Sequence, residues 1–297
     1  MAEILLSLTI IGVVAAITLP SLTGNINERT WNTQRKALYA RMSQAIALMP
    51  SLNGYGTLDD TTDTAAETFV TAGLSKVLKI NNICDNEHIE DCGIPLKIVQ
   101  LDAGSTLDVP AITTLQTFND RFTSSNGFPV DIKAAAFETA NGESILVYYN
   151  PNCVSNMQET AKYNIQNKMC VNMIYDLNSS KGPNTVGKDI GFISIFYPTD
   201  SMVAAPVVTQ SKIEGGVSSQ STAGRACQNL DSESRMVNLE ELGALFINRQ
   251  LLGRLTVSYS WSSLLYDVDN AWLIDFSNGE TFTKSRGNSH SIWCVKR

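Results

Sequence analysis

The first twenty residues decide what kind of chain this is. From Ile4 to Leu19 nothing is charged, and the only polar side chains, Ser7, Thr9 and Thr18, are ones whose hydroxyls bond back to the carbonyls of their own helix. Such a helix gains nothing from water. At 1.5 Å per residue a hydrocarbon core of about 30 Å takes about 20 residues, so the run sits at the short end of a bilayer span. A secretory signal is the other reading, and the flanks argue against it. Signals place basic residues before the apolar run and a small-residue cleavage site after it, whereas Glu3 precedes this run and Pro20-Ser-Leu-Thr-Gly24 follows.

The helical pattern continues past the apolar part. Trp31, Leu38, Met42, Ala45, Ile46 and Met49 recur at helical spacing, with Arg29, Arg35, Lys36 and Arg41 on other faces. The simplest expectation is one long helix, apolar and then amphipathic. Pro50 and Asn53-Gly54-Tyr55-Gly56 should end it, because proline lacks the backbone donor and glycine accepts the reversed backbone of a cap.

Ala2-Glu3-Ile4-Leu5 leading into Gly12-Val-Val-Ala-Ala-Ile-Thr-Leu-Pro20 resembles the N-terminus of type IV pilins and of the pseudopilins of type II secretion. In that family a Glu near the mature N-terminus precedes a helix-breaking Pro by the interval that separates Glu3 from Pro20. The resemblance implies an α+β fold, a long N-terminal helical spine packed on an antiparallel β-sheet headgroup. It also implies the role of a structural subunit, inserted in the inner membrane, processed by a prepilin peptidase and assembled with copies of itself into an extracellular filament by pilus machinery. Glu3, Gly12 and Pro20 are then the assembly residues, with Glu3 paired to the positively charged mature N-terminus. The family's mature chains carry further residues ahead of the Ala-Glu pair, so two residues are expected before Met1. The alternatives within the resemblance are a minor tip adhesin that binds glycan and a type II secretion pseudopilin.

With 297 residues, 43% of them hydrophobic and 17% charged, the chain buries a real core, and its length suggests one large or two modest domains beyond the helix. Its charge is unevenly divided. Residues 1–56 hold Arg29, Arg35, Lys36 and Arg41 against Glu3 and Glu28, a net +2, so of the total of −7 the remainder carries −9. An acidic exterior argues against nucleic acid or an anionic membrane as its partner. No nucleophile sits in a recognisable activation motif, so no enzyme is expected.

Six cysteines, Cys84, Cys92, Cys153, Cys170, Cys227 and Cys294, form an even set without a Cys-x-x-Cys, and the chain has only two histidines, His88 and His290. Zinc is disfavoured, and three disulfides are the better reading for an exported chain. Six cysteines allow 15 connectivities; sequence proximity suggests Cys84 with Cys92 and Cys153 with Cys170.

A polar stretch from Thr57 to Thr64 should cap a helix from about Ala65 to Leu78. Ser144–Tyr149, Met169–Tyr175 and Gly191–Tyr197 are rich in β-branched and aromatic residues between turn signals, which predicts three successive antiparallel strands. The loop from Asp176 to Asp189 gathers Asp176, Asn178, Asn184 and Asp189 around Gly182, Pro183 and Gly187. Oxygen ligands at alternate positions of a tight loop suit a hard cation such as calcium, and pseudopilins hold calcium in a comparable loop. The EF-hand pattern is not met, and the same Asp and Asn residues also suit plain turn geometry.

Ser, Val, Ala, Gly and Gln dominate residues 201–224, which read as a linker or arm. The expected organisation is thus the N-terminal helix over 1–56, the pilin headgroup over 57–200, the linker over 201–224 and a C-terminal module over 225–297. That module has a Cys before a Glu-Glu-Leu helix (about Leu239–Asn248), Trp261-Ser-Ser263, Asn270-Ala-Trp272 and a closing Trp293-Cys294. It resembles the bacterial C-terminal modules of the C-type-lectin-like and formylglycine-generating-enzyme-like type. The resemblance implies a small α+β domain stapled by Cys227 to Cys294, with Trp261, Trp272 and Trp293 in its core. The sugar-binding triplets of lectins are missing. Asp267, Asp269 and Asn270 fit either an ion or a capped turn.

Overall fold

The computed structural model describes residues 29–49, 65–95, 97–101, 106–108, 133–149, 169–196, 201–204, 218–230, 232–252, 259–277 and 279–296. The apolar run with Glu3, Gly12 and Pro20 lies outside them, as does Cys153. Among the described residues no helix is long and apolar enough to cross a membrane. The chain divides into two compact units, Met1–Ala40 and Arg41–Arg297. The described part of the first, residues 29–40, is helical.

The second unit is mixed α+β, built on antiparallel sheets. Helix α1 (residues 29–49) enters it at Arg41, and from there Met42, Ala45, Ile46 and Met49 are buried, the spacing of one helix face. Helix α2 (Ala65–Thr68) widens into a π turn over Phe69–Gly73 and tightens into a 3-10 turn over Leu74–Lys76, where the sequence predicts a regular helix. The departure has a local cause. The hydroxyls of Thr71 and Ser75 donate to the carbonyls of Glu67 and Thr71, competing with the regular ladder, and a Cβ at Gly73 would lie 2.5 Å from Met49 Cε.

Strands β1 (Ile80–Cys84), β4 (Ala135–Thr139), β5 (Ser144–Tyr149), β6 (Met169–Asp176), β7 (Ile190–Phe196) and β8 (Ser201–Ala204) form a six-stranded antiparallel sheet in that order. Two short strands, β2 (Lys97–Val99) and β3 (Thr106–Asp108), pair apart from it. Every residue of β5 and β7 is buried, so this sheet is covered on both faces. Register assigns the faces. Ala136, Leu146, Ile174 and Phe192 are cross-strand partners in one core, while Val147, Met173 and Ile193 line the other face, where Tyr149 meets Phe69 of the π turn with ring centroids 5.9 Å apart.

The chain then forms β9 (Ser218–Ser219), helix α3 (Gln220–Leu230), β10 (Ser234–Met236) and helix α4 (Leu239–Ile247). After a helical turn over Arg249–Leu252 come β11 (Tyr259–Leu265), β12 (Asn270–Asp275), β13 (Thr281–Ser285), β14 (Ser289–Ile292) and β15 (Cys294–Lys296). Five of these strands make a second sheet, ordered β13-β12-β11-β14-β9, in which β11 and β14 run parallel. The stretch read as a linker thus supplies β8, β9 and the start of α3, and residues 205–217 lie outside the described part.

Helix α4 packs on β7 and β8 and also on β11 and β12, which places it between the two sheets. Val237, Leu242, Leu245, Phe246, Ile274 and Trp293 share one core with Leu146, Ile174 and Phe192. A second, smaller core joins α3 to the five-stranded sheet through Ala223, Cys227, Trp261, Leu273 and Ile292.

Disulfides close Cys84 to Cys92 and Cys227 to Cys294. Cys170 is disulfide-bonded as well, and no described cysteine is free. The Cys227–Cys294 bridge spans 67 residues and ties α3 to β15. Chain-entropy arithmetic for a loop of that length gives about 4 kcal/mol. A Cys227→Ala/Cys294→Ala variant should therefore unfold at markedly lower denaturant, and unchanged midpoints would show the shared core to be sufficient.

The turn between β4 and β5 locks onto α1. Glu143, only 5% exposed, accepts from both terminal nitrogens of Arg41 and from the Thr139 hydroxyl. Removing Arg41 leaves a carboxylate out of water without its counter-charge. Because the Arg41 side chain retains 30% exposure, the expected loss for Arg41→Ala is about 2 to 3 kcal/mol, and Glu143→Gln together with Arg41→Met should recover part of it. A denaturation midpoint unchanged by Arg41→Ala would contradict this accounting.

Candidate functional site

The loop from Leu177 to Asp189 joins β6 to β7, and the register pair Asp176 with Ile190 brings its two ends together. Two carboxylates, Asp176 and Asp189, are therefore neighbours at the loop's base, 1% and 0% exposed. Asp189 is fully engaged in shaping the turn. Its two oxygens accept from the backbone N–H groups of Asn184 and Thr185, each at 2.8 Å. Asp176 is engaged on one side only, with Oδ1 accepting from the Asn178 N–H at 3.0 Å. Asn178 donates through Nδ2 to the Gly182 carbonyl at 2.7 Å.

Three acceptors are left over. Asp176 Oδ2, Asn178 Oδ1 and Asn184 Oδ1 are buried and have no hydrogen-bond partner. Orphaned buried acceptors are costly, and a set consisting only of oxygens, one of them a carboxylate, is what a hard cation satisfies. Burial pushes the Asp176 carboxyl up to about 7; the Asn178 N–H opposes the rise and the Asp189 charge adds to it. A bound cation would replace that repulsion with attraction. The residues thus fit calcium by donor chemistry, with Asp176, Asn178 and Asn184 offering oxygens directly and Asp189 building the turn. No trio of His, Cys, Asp or Glu able to hold a metal occurs among the described residues; this set relies on amides.

The backbone is held in the necessary shape. Asn184 has φ +50° and Ser179 φ +58°, left-handed values at which a side chain is strained. The loop is also pinned from outside. Asn184 and Val186 exchange backbone hydrogen bonds with Val99, and Ser179 Oγ donates to the Gly93 carbonyl at the end of the Cys84–Cys92 loop. Gly93 is required there, since a Cβ would fall 1.9 Å from Ser179 Oγ. Sequence reasoning missed this clamp, because nothing in the spacing of Gly93, Ser144 and Ser179 marks them as neighbours.

The other candidates separate clearly. Asp267 accepts from the N–H groups of Asp269 and Asn270 and from the Asn270 amide, so the trio forms a capped turn between β11 and β12. Those bonds hold its exposed carboxyl below the usual range, the Asn270 side chain contributing most. Trp261 and Trp293 are core residues, whereas Trp272 is half-buried with its ring against Tyr266. The tip of that hairpin exposes Leu264, Leu265, Tyr266 and Val268, a patch that strand patterning gave no reason to single out.

No family model matches the chain, and no curated protein is similar to it.

A cation in the β6–β7 loop should raise the melting temperature. Millimolar calcium against chelator is expected to shift it upward by several degrees, and Asp176→Ala should abolish the shift. Equal melting under both conditions would leave the plain turn as the better account. The pH dependence has a definite sign. Below about 4 the carboxyl is protonated folded or unfolded; between about 4 and about 7 the unfolded chain ionises it while the fold retains its proton. In chelator, then, stability falls as pH rises through that window, and calcium should flatten the fall.

Proposed function

We propose that this chain is a structural subunit of a type IV pilus-like bacterial surface filament. The observation that carries the reading is the uncharged run headed by Glu3 and closed by Pro20, followed after residues 21–28 by the amphipathic residues 29–49. Three further features support it. Residues 29–49 are helical, Met42, Ala45, Ile46 and Met49 bury one side of the helix, and an antiparallel α+β body follows. On this reading the spine runs unbroken from the apolar run into α1, and the C-terminal 225–297 stretch is a lectin-like module displayed outward. The subunit waits in the inner membrane, loses its leader to a prepilin peptidase and polymerises with its own kind, its acidic body facing the medium.

Glu3 carries the assembly step. A carboxylate among packed apolar helices persists only with a partner, and the amine exposed by leader removal on a neighbouring subunit supplies it. That pairing sets axial register as well as cancelling charge. Breaking one side of a buried pair costs roughly 3 to 5 kcal/mol, so Glu3→Leu should leave membrane insertion intact while surface filaments fall at least tenfold. The direct test is mass spectrometry of sheared, purified filaments, in which this chain should dominate the peptide count. Filaments at normal abundance from Glu3→Leu cells, or filaments in which the chain is a trace component, would sink the reading.

A further inference from the structure

The hairpin between β11 and β12 ends in an exposed apolar cluster. Leu264, Leu265, Tyr266 and Val268 are 44 to 82% exposed, Val268 the most. Surface apolar residues scattered singly need no explanation, but four within five positions make a patch. This patch is held rigidly. Asp267 fastens the turn through the Asp269 and Asn270 N–H groups at 2.8 and 2.7 Å, and the Tyr266 ring stands edge-on to Trp272 with centroids 5.5 Å apart. Arg286 ties the tip to the body. Its N–H donates to the Asp269 carbonyl at 2.8 Å, its Nη1 to the Val268 carbonyl at 2.9 Å and its Nε to Gln220 Oε1 at 2.8 Å. A preorganised protrusion loses little entropy when it docks.

The charges on the tip choose its partner. Asp267 and Asp269 are both exposed and flank Val268, and against these two negative charges the tip holds one positive, the Arg286 guanidinium, whose bonds above go to neutral oxygens. Anionic lipid and nucleic acid are repelled by such a tip. Cationic residues with small neighbours are needed instead, and the chain itself supplies them. Residues 1–56 carry the net +2, and within helix α1 Arg29, Lys36, Ala37 and Ala40 are exposed at i, i+7, i+8 and i+11, one side of the helix. Alanines beside Lys36 leave a shallow place for bulky side chains to approach the helix, with the lysine beside the tip's carboxylates.

We infer that the β11–β12 tip of one copy docks on the Lys36–Ala37–Ala40 side of helix α1 of another. The inference rests on the filament reading for its setting and names the contact between copies that the reading leaves open. The two patches differ, so the contact is heterologous: each copy offers a tip and receives one, and copies add head to tail without closing on themselves in pairs.

The test uses the full chain, expressed with its export and assembly machinery. Val268→Cys combined with Ala37→Cys, oxidised mildly and run on a non-reducing gel, should give a ladder above the dimer, and each single variant should stay monomeric. Lys36→Glu should weaken the ladder at least fivefold, and adding Asp269→Lys should restore it, a rescue that mere structural damage would not show. Asp269 suits the swap because the bonds described for it use its backbone. Filaments from the double-cysteine variant without a ladder would overturn the contact and leave the filament reading standing. Dimers from Val268→Cys alone would mean that tip meets tip, which also overturns it. If the wild-type chain makes no filaments, the filament reading fails, and the contact is judged separately by the ladder from membrane extracts.

Discussion

Helix α4 has seven consecutive residues, Glu241 to Ile247, out of solvent, and a helix buried on every side has to be satisfied by protein at both ends. The chain provides this. At the start, Asn238 and Glu241 form a reciprocal capping box, and Arg235 closes over the Glu241 carboxylate so that the cap's charge is also paired. At the end, Asn248 donates to the Ala244 carbonyl and meets Asn172 of β6 in a pair of amide bonds of 3.0 and 3.1 Å, with the Ser194 hydroxyl donating to the same Asn172 oxygen. Asn172 and Ser194 stand on the sheet face that packs toward α4. An apolar residue at any one of the three positions would leave buried groups unpaired, so this network fixes where the helix lies on the sheet more than it adds to stability.

Much of this was legible from residue patterns. Ser144–Tyr149, Met169–Tyr175 and Gly191–Tyr197 announced strands through β-branched and aromatic residues, and the observed β5, β6 and β7 differ from them by a residue at most. The Leu239 helix was marked by its Glu-Glu-Leu run, whereas the Asn238 cap is seen only in the structure. What was not legible followed from distance in sequence. Strand β4 is Ala-Ala-Phe-Glu-Thr, weak by propensity, and it holds its place because Ala135 and Ala136 are completely buried between covered faces. The parallel pairing of Trp261 with Ile292 joins strands separated by an entire hairpin, which no local signal reports. In the candidate loop, the oxygen-bearing residues were evident, but the division of labour among them was not: Asp189 looked like a ligand, and the structure uses both of its oxygens on the backbone.

The loop's neighbours determine what a bound cation would accomplish. The loop touches three other parts of the molecule: β2 through backbone bonds with Val99, the Cys84–Cys92 loop through the Ser179 hydroxyl on the Gly93 carbonyl, and Leu101, whose N–H donates to the Leu251 carbonyl of the helical turn over Arg249–Leu252. Leu101 also packs close over Gly187, where a Cβ would fall 2.9 Å from its Cδ1. These segments are short and also contribute Ile89, Ile94, Ile98 and Leu251 to the shared core. Filling three orphaned acceptors would therefore stiffen a region much larger than the loop, through bonds already in place rather than through any change of fold.

Under the filament reading, pulling force enters each subunit along its helix and has to reach the body through residues 41–49. Shape alone resists poorly along a helix axis, because apolar contacts slide by one ridge at modest cost. Two features of this interface oppose sliding. Arg41 grips a buried carboxylate with both terminal nitrogens, a directional contact that a shift of one turn, about 5.4 Å, would break completely. At the far end Met49 reaches into the space left open by Gly73, a fit specific to one register. A polar lock at one end and a steric lock at the other give the helix a single position on the body, which is what a chain that transmits load through its helix requires.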